Sequence, residues 1–595
     1  MKRLTLFSLA ILAASLLFSL PAHDARYLKM GIVYELNDDG SWDMTCEQLA
    51  RLDTYFAVNR ALGETFIVYN PEYQKLEVLK SETTMADGRK VPSPENAYNE
   101  VLPFPAHYFA DFSHLREMVV THTGLERGAL VDLKYRIHTR AGFLPAFSGR
   151  EVLGRPFPVD EYTLEIRIPA SRQLFFAGGG FDGEIVTEIV TDGPSKKYAF
   201  RFSGLAPMPR EPLAPAGSEP FLAFSLAPDW AAALPLAGEH CVLPAALADK
   251  VDKLKTRNPA LPELLAALQK IAAVDIRNCG LGIDATGWHS RPLERVLQSN
   301  YATRLEKALL LRAMLKKAGI DSELLAVATG PDLAVPAATP LQLGEFWLKV
   351  PVAAAYLDPC REQHEFFPYA LQGRDAWNFA GGSLEKLPVA SGEQNLMDVS
   401  GKVRLTAEGA SGTLVVTARG MFHRYNEATA DHGKFISGIL KGIFPVEKAE
   451  VGKLLELTRQ QTRAEVTFSG KWLKDTSAGF LSMDALRLPG LNENMVILEK
   501  RESDLALEAP FRVSLDLEIE PAPELKLEYA APALERRNEL GRFSRSLTTG
   551  KNGAMRLSQS CAVDKALIGP EKYPLLRELL LPYFAPDFGL MFKKQ

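Results

Sequence analysis

Cysteine is scarce in this sequence. Only Cys46, Cys241, Cys279, Cys360 and Cys561 stand among 595 residues. An odd, widely spaced set excludes the disulfide framework of small secreted domains. There is no Cys-x-x-Cys, and no His/Cys cluster has zinc spacing. The cysteines read as isolated, small, buried hydrophobes. Phosphate loops, dinucleotide fingerprints and His-Glu-x-x-His are absent, so no cofactor or metal is expected. Ser322 and Ser391 lack a nucleophile-elbow context. Charge of one sign is lacking too. Lys and Arg total 68 against 73 Asp and Glu, a net charge of −5, with no long block of like charge. That balance offers nucleic acid no electrostatic footprint. After the N-terminus no apolar run approaches the ~20 residues that span a bilayer.

What is present begins with a targeting pattern. Lys2 and Arg3 precede an apolar stretch from Leu4 to Leu20, and Leu20-Pro21-Ala22 suits cleavage. Residues 1–22 are therefore expected to be a signal peptide, with an uncleaved anchor as the alternative. The mature chain would begin near His23 and be periplasmic or secreted.

Alternation then dominates. Val131, Leu133, Tyr135 and Ile137 alternate with Asp132, Lys134, Arg136 and His138, the pattern of a half-buried strand. Phe66–Tyr69 and Leu76–Leu79 are further short runs. Asn37-Asp38-Asp39-Gly40 and Asp87-Gly88 are turn sequences, and the first lacks the ligand spacing of a calcium loop. An antiparallel β-sandwich is expected up to a Pro-rich linker at 205–220. Helical spacing follows at Leu261, Leu264, Leu265, Leu268 and Ile271. β patterning returns from about 391, in Val403–Ala407, Leu414–Val416 and Val513–Ile519. A helical excursion is expected over 434–457, a short helix over 571–581 and a last strand over 590–592.

The most informative run is Thr303-Arg304-Leu305-Glu306-Lys307-Ala308-Leu309-Leu310-Leu311. Thr303 and Glu306 have capping-box spacing, so a helix should start at Arg304. It should stop at Gly319, with Lys316 and Lys317 in its last turn. Ala318-Gly319-Ile320 follows, then Gly344-Glu345-Phe346-Trp347-Leu348-Lys349-Val350 and Tyr356-Leu357-Asp358-Pro359. These segments, within about 220–390, resemble the transglutaminase-like superfamily, a papain-like α+β cysteine fold. The flanks resemble domains of unknown function that accompany this core in secreted bacterial proteins. The resemblance implies a β-sandwich domain at 23–218, a transglutaminase-like domain at 219–390 and a β-rich domain at 391–595.

Aligned residue by residue, the family's Cys falls on Arg304, its His on Glu345 and its Asp on Asp358. A guanidinium stays protonated and donates only, so Arg304 is no nucleophile. Two of the three residue types are therefore missing, and no catalytic residue is assigned. The expectation is a degenerate cleft in which Arg304, Glu345, Asp358 and Trp347 form a charged network or binding pocket. If the pair is buried, Arg304→Ala should cost about 3–5 kcal/mol. Trp288 and Trp377 suit either stacking on a ligand or a place in the core. Cys279 with His289 and Cys360 with His364 are the candidate displaced nucleophiles, and neither pair has a helix-N-terminal setting. The resulting reading is an exported binding or scaffold module for an envelope protein, peptide or glycan. The alternative is a cysteine-type peptidase, amidase or acyl transferase with a displaced nucleophile.

Overall fold

A computed structural model describes residues 23–594, apart from 181–184, 186, 237–241, 331, 334, 363–365, 477–479, 484–486, 488–489, 551–552 and 585–588. The expected signal peptide, Cys241 and His364 lie outside the described residues. The molecule is multidomain and strongly β-rich, with many sheets and few helices.

The N-terminal part grows from the hairpin of Ala25–Leu36 and Trp42–Leu52. Its turn closes because the Asp39 carboxylate accepts from Ser41 N and Oγ, while Gly40 adopts φ +83°. It is a plain turn. The alternating run forms Leu130–Thr139 and joins an eight-stranded sheet. Met30, Ile32, Leu164, Ile166 and Phe200 of that sheet pack against Leu222 and Phe224 of a three-stranded one.

Two expectations for this part need correction. The large sheet is not wholly antiparallel: Ala25–Leu36 runs parallel to Val159–Pro169, in the register Ile32↔Leu164. Parallel neighbours need a long crossover, and residues 37–158 supply it. The boundary at 218 also falls too early. Strand Phe221–Ser225 lies between Phe175–Gly179 and Ser148–Val152, so it completes an N-terminal sheet. The 205–220 segment before it is anchored rather than free. Pro212 O accepts from the buried Arg501 guanidinium, and Leu213 O accepts from Ala506 N.

The central part is a five-stranded antiparallel sheet in the order 355–357, 343–350, 323–328, 375–378, 383–386. Helices Ala245–Arg257, Leu261–Lys270 and Arg304–Ala318 contribute to the core that covers one face. The last of these starts at its capping box and stops at Gly319, φ +78°. Leu305, Ala308–Leu311, Met314 and Leu315 are all buried, so this helix runs through the core.

In the C-terminal part another eight-stranded sheet dominates, and Leu396–Leu405 runs parallel to Phe511–Pro521. The expected excursion at 434–457 is only half helical. Helix His432–Ile443 ends at Phe444-Pro445, and Lys448–Leu457 is a strand paired with Gln461–Gly470. Proline at 445 cannot donate to a continuing helix and disfavours helical backbone at the residue before it. The short helix spans Tyr573–Leu580 and the last strand Leu590–Lys594.

Candidate functional site

The Arg304 helix aims its N-terminus at strand Leu343–Val350. Thr303 Oγ1 accepts from Glu306 N, and Glu306 Oε2 accepts from Thr303 N (2.9 Å), so the first turn is rigid. From that turn Arg304 Nη1 pairs directly with Glu345 Oε1. The two side chains remain 36% and 25% exposed. The pair exists, but it is not buried. Water screens it, so its contribution falls from the expected 3–5 kcal/mol to about 0–1 kcal/mol.

Asp358 follows directly on strand Ala355–Leu357 and is buried. Burial pushes its carboxyl above the ordinary value, opposed by a hydrogen bond from Cys360 N (2.7 Å) and by Arg361 and Arg304. Gln269, in the Leu261–Lys270 helix, donates to Asp358 O (3.0 Å) and Arg361 O (3.3 Å) and fixes this loop. Lys307, one turn into the Arg304 helix, is wholly buried and donates to Ile276 O (2.7 Å) and Ala273 O (3.3 Å). Burial lowers its pKa, while Cys360, Asp358 and Cys279 resist. The structure thus groups Arg304, Glu345 and Asp358, and adds Lys307 and Cys360 to them.

Trp347 does not belong with them. It packs on the opposite face of the sheet with Leu325, Val327, Leu371, Ala376 and Leu387, and its Nε1 is buried without a hydrogen-bond partner. Phe346 and Leu348 face the helices instead. The strand is buried on both faces, so alternation cannot show which side a given residue takes. Trp377 is also core. Trp288 donates from Nε1 to Pro235 O (2.8 Å) and packs near Phe346, its ring centroid 6.0 Å away.

The thiols are not poised for attack. Burial pushes Cys360 up to about 11, with Asp358 adding to the rise and Lys307, Arg304 and Arg361 opposing it. A thiol at that value is protonated at neutral pH and a poor nucleophile. Cys279 also rises to about 11 by burial, inside an apolar cluster with Phe109, Phe112 and Tyr301. His289 instead stacks on Tyr73, centroids 4.9 Å apart. Among the described residues no group of His, Cys, Asp and Glu has a metal-binding arrangement.

Sequence reasoning missed a second cluster at the same helix start. Arg291 donates from N and Nε to Glu306 Oε1 (2.8 and 2.9 Å) and from Nη2 to Glu306 Oε2 (2.9 Å). It also pairs with Asp111, which binds Arg295 too. The guanidinium lies near the Phe112 and Tyr301 rings, at 4.8 and 4.9 Å from their centroids. The cap residue Glu306 was legible. Its link to Asp111 was not, because 180 residues separate Arg291 from Asp111.

Comparison with known proteins adds a fold and a domain label. Residues 38–209 match the family profile of a domain of unknown function with solved structure, DUF3857. A protein from Parabacteroides distasonis described as a "putative protease" is similar over 96% of this chain and 100% of its own, at 23% identity and a TM-score of 0.73. At that identity the likeness shows a shared fold. An M1 zinc metallopeptidase from Deinococcus radiodurans aligns over 34% of this chain and 43% of its own at 10% identity, and its TM-score of 0.17 is too low to relate the folds. No curated protein matches this sequence.

Proposed function

We propose that this chain is an exported, non-catalytic protein whose central transglutaminase-like, papain-type core lies between two β-rich units. It acts as a binding or scaffold module for a protein, peptide or glycan at the cell envelope. The observation that carries this reading is the Arg304–Glu345 ion pair at the positions of the family's nucleophile and base. Two charged side chains neutralise each other where the chemistry would need a thiolate and an imidazole. The nearby thiol, Cys360, is held protonated by burial.

A second reading is peptide-bond chemistry at Cys360, supported by the printed description of the Parabacteroides neighbour. One experiment separates the two. The purified chain is incubated with fluorogenic amide and peptide substrates, before and after iodoacetamide. Absence of turnover supports the binding reading. Turnover that iodoacetamide abolishes, and that Cys360→Ser also removes, establishes the enzyme and overturns it. Arg304→Cys with Glu345→His restores the three residue types, and weak thiol-dependent amidase activity in that double variant alone supports the ancestry. Export is tested by sequencing the N-terminus of the protein in envelope fractions. A start near His23 agrees, and an intact Met1 in cytosolic protein rejects it.

A further inference from the structure

A sizeable opening lies far along the chain from Arg304. A cavity of about 960 Å³ is formed in the C-terminal part by helix His432–Ile443 and the segment around Gly420–Phe422. Its apolar wall is Met397, Met421, Phe422, Phe435 and Ile439. Methionine and phenylalanine make a surface that adapts to varied apolar partners. A volume of that size takes a ligand rather than a few waters.

The helix presents an unusual face to this space. Residues 434, 438, 441 and 442 fall on one side at helical spacing, which places Lys434, Gly438, Lys441 and Gly442 along the groove. A Cβ on Gly438 or Gly442 would meet nothing within 4 Å. Glycine inside a helix costs stability, so a structural glycine normally has a close neighbour to justify it. The sheet glycines of this part have one: a Cβ on Gly401, Gly412 or Gly470 would come within 2.2 Å or less of backbone. At Gly438 and Gly442 no such neighbour stands among the described residues.

The charges say what kind of partner fits. The groove's carboxylates are already engaged: Glu427 pairs with Arg424, and Asp431 accepts from Lys434 N to cap the helix. Lys434 and Lys441 are exposed and have no carboxylate partner among the described residues. Seven residues along a helix set them about 10 Å apart. A single anionic headgroup engages one of them. A peptide with acidic residues two turns apart engages both while laying its apolar face on the Met and Phe wall.

We propose that this groove binds an acidic amphipathic peptide segment, docked against the Gly438–Gly442 face with its carboxylates on Lys434 and Lys441. The proposal rests on the binding-module reading but not on the Arg304 centre, and the substrate assays above test that centre separately.

The test uses the full chain and fluorescence anisotropy. The probe is a labelled synthetic helix of about five turns, with Leu at positions i, i+3, i+4 and i+7 and Glu at seven-residue intervals. The comparison probes are the same peptide with Lys for Glu, and oleate. The acidic peptide should bind about tenfold or more tighter than its Lys counterpart, and the preference should shrink as salt rises. Lys434→Glu with Lys441→Glu should remove the preference. Gly438→Leu should abolish binding while leaving the melting temperature equal or higher, since it replaces a poor helix former and fills only open space. No binding of the acidic peptide to the unaltered chain overturns the proposal. So does equal binding to folded Gly438→Leu or charge-reversed protein, and so does binding of oleate without the acidic peptide.

Discussion

Two ion clusters sit within one turn of the same helix. Arg304 pairs with Glu345 in partial contact with water, at 36% and 25% exposure. Two residues on, Glu306 is clamped by Arg291 with side chains 2% and 16% exposed, and Asp111 arrives from the N-terminal part to complete the cluster. The first joins the start of the helix to strand Leu343–Val350. The second stands where nothing in the sequence drew attention. The difference shows that within half a helical turn a water-screened ion pair gives way to a sealed one. A solvent-facing pair can be exchanged at little cost to folding. A buried pair cannot be opened without leaving a charge in low dielectric.

The comparison breaks most sharply at Arg291. Arg291→Ala leaves Glu306 buried and unpaired, so it should lower stability by about 3–5 kcal/mol in thermal or chemical unfolding. A loss no larger than that of Arg304→Ala would remove the distinction. Thr303→Ala deletes the cap hydroxyl that both clusters share and should cost about 1 kcal/mol, with a fall in the melting temperature as the readout.

Acid titration sharpens the contrast. Hydrogen bonds from Arg295 and Arg291 hold Asp111 below the ordinary carboxylate value. Its folded pKa is depressed, so its contribution is present above the unfolded value, about 3.9, and fades as pH falls through the folded one. Asp358 has the opposite sign. Its folded pKa is raised by burial, so its favourable share is present below the unfolded value and is lost as pH rises through the folded one. Asp111→Asn should therefore flatten the loss of stability below about pH 4. Asp358→Asn keeps an acceptor for Cys360 N and should steepen that acid loss while raising stability at neutral pH. Unfolding curves across pH check both signs. The smallest effect is Arg304→Ala, about 0–1 kcal/mol and weaker still in high salt. A larger, salt-independent loss would mean the pair is as sealed as the Arg291 cluster.

Much of the local structure was legible because its causes are local. The Thr303–Glu306 capping box, the Gly319 stop, the alternating Leu130–Thr139 strand and the Asn37–Gly40 turn each rest on residues within a few positions of one another. Beyond the reach of such local cues the sequence is ambiguous. Pro445 could have ended the helix before 448, but the apolar residues beyond it suit a strand as well as a helix.

By itself the sequence determined the strongly β-rich, multidomain layout, the start of the Arg304 helix and, through the resemblance, the expected pairing of Arg304 with Glu345. Only the tertiary structure decided which strands run parallel, that Phe221–Ser225 belongs to an N-terminal sheet, that Trp347 turns away from the helix, and that Asp111 closes on Arg291. The reason is physical. Caps and periodicity act over one or two turns of chain, whereas strand neighbours, burial on both faces of a sheet and ion pairs 180 residues apart depend on how distant surfaces share one core.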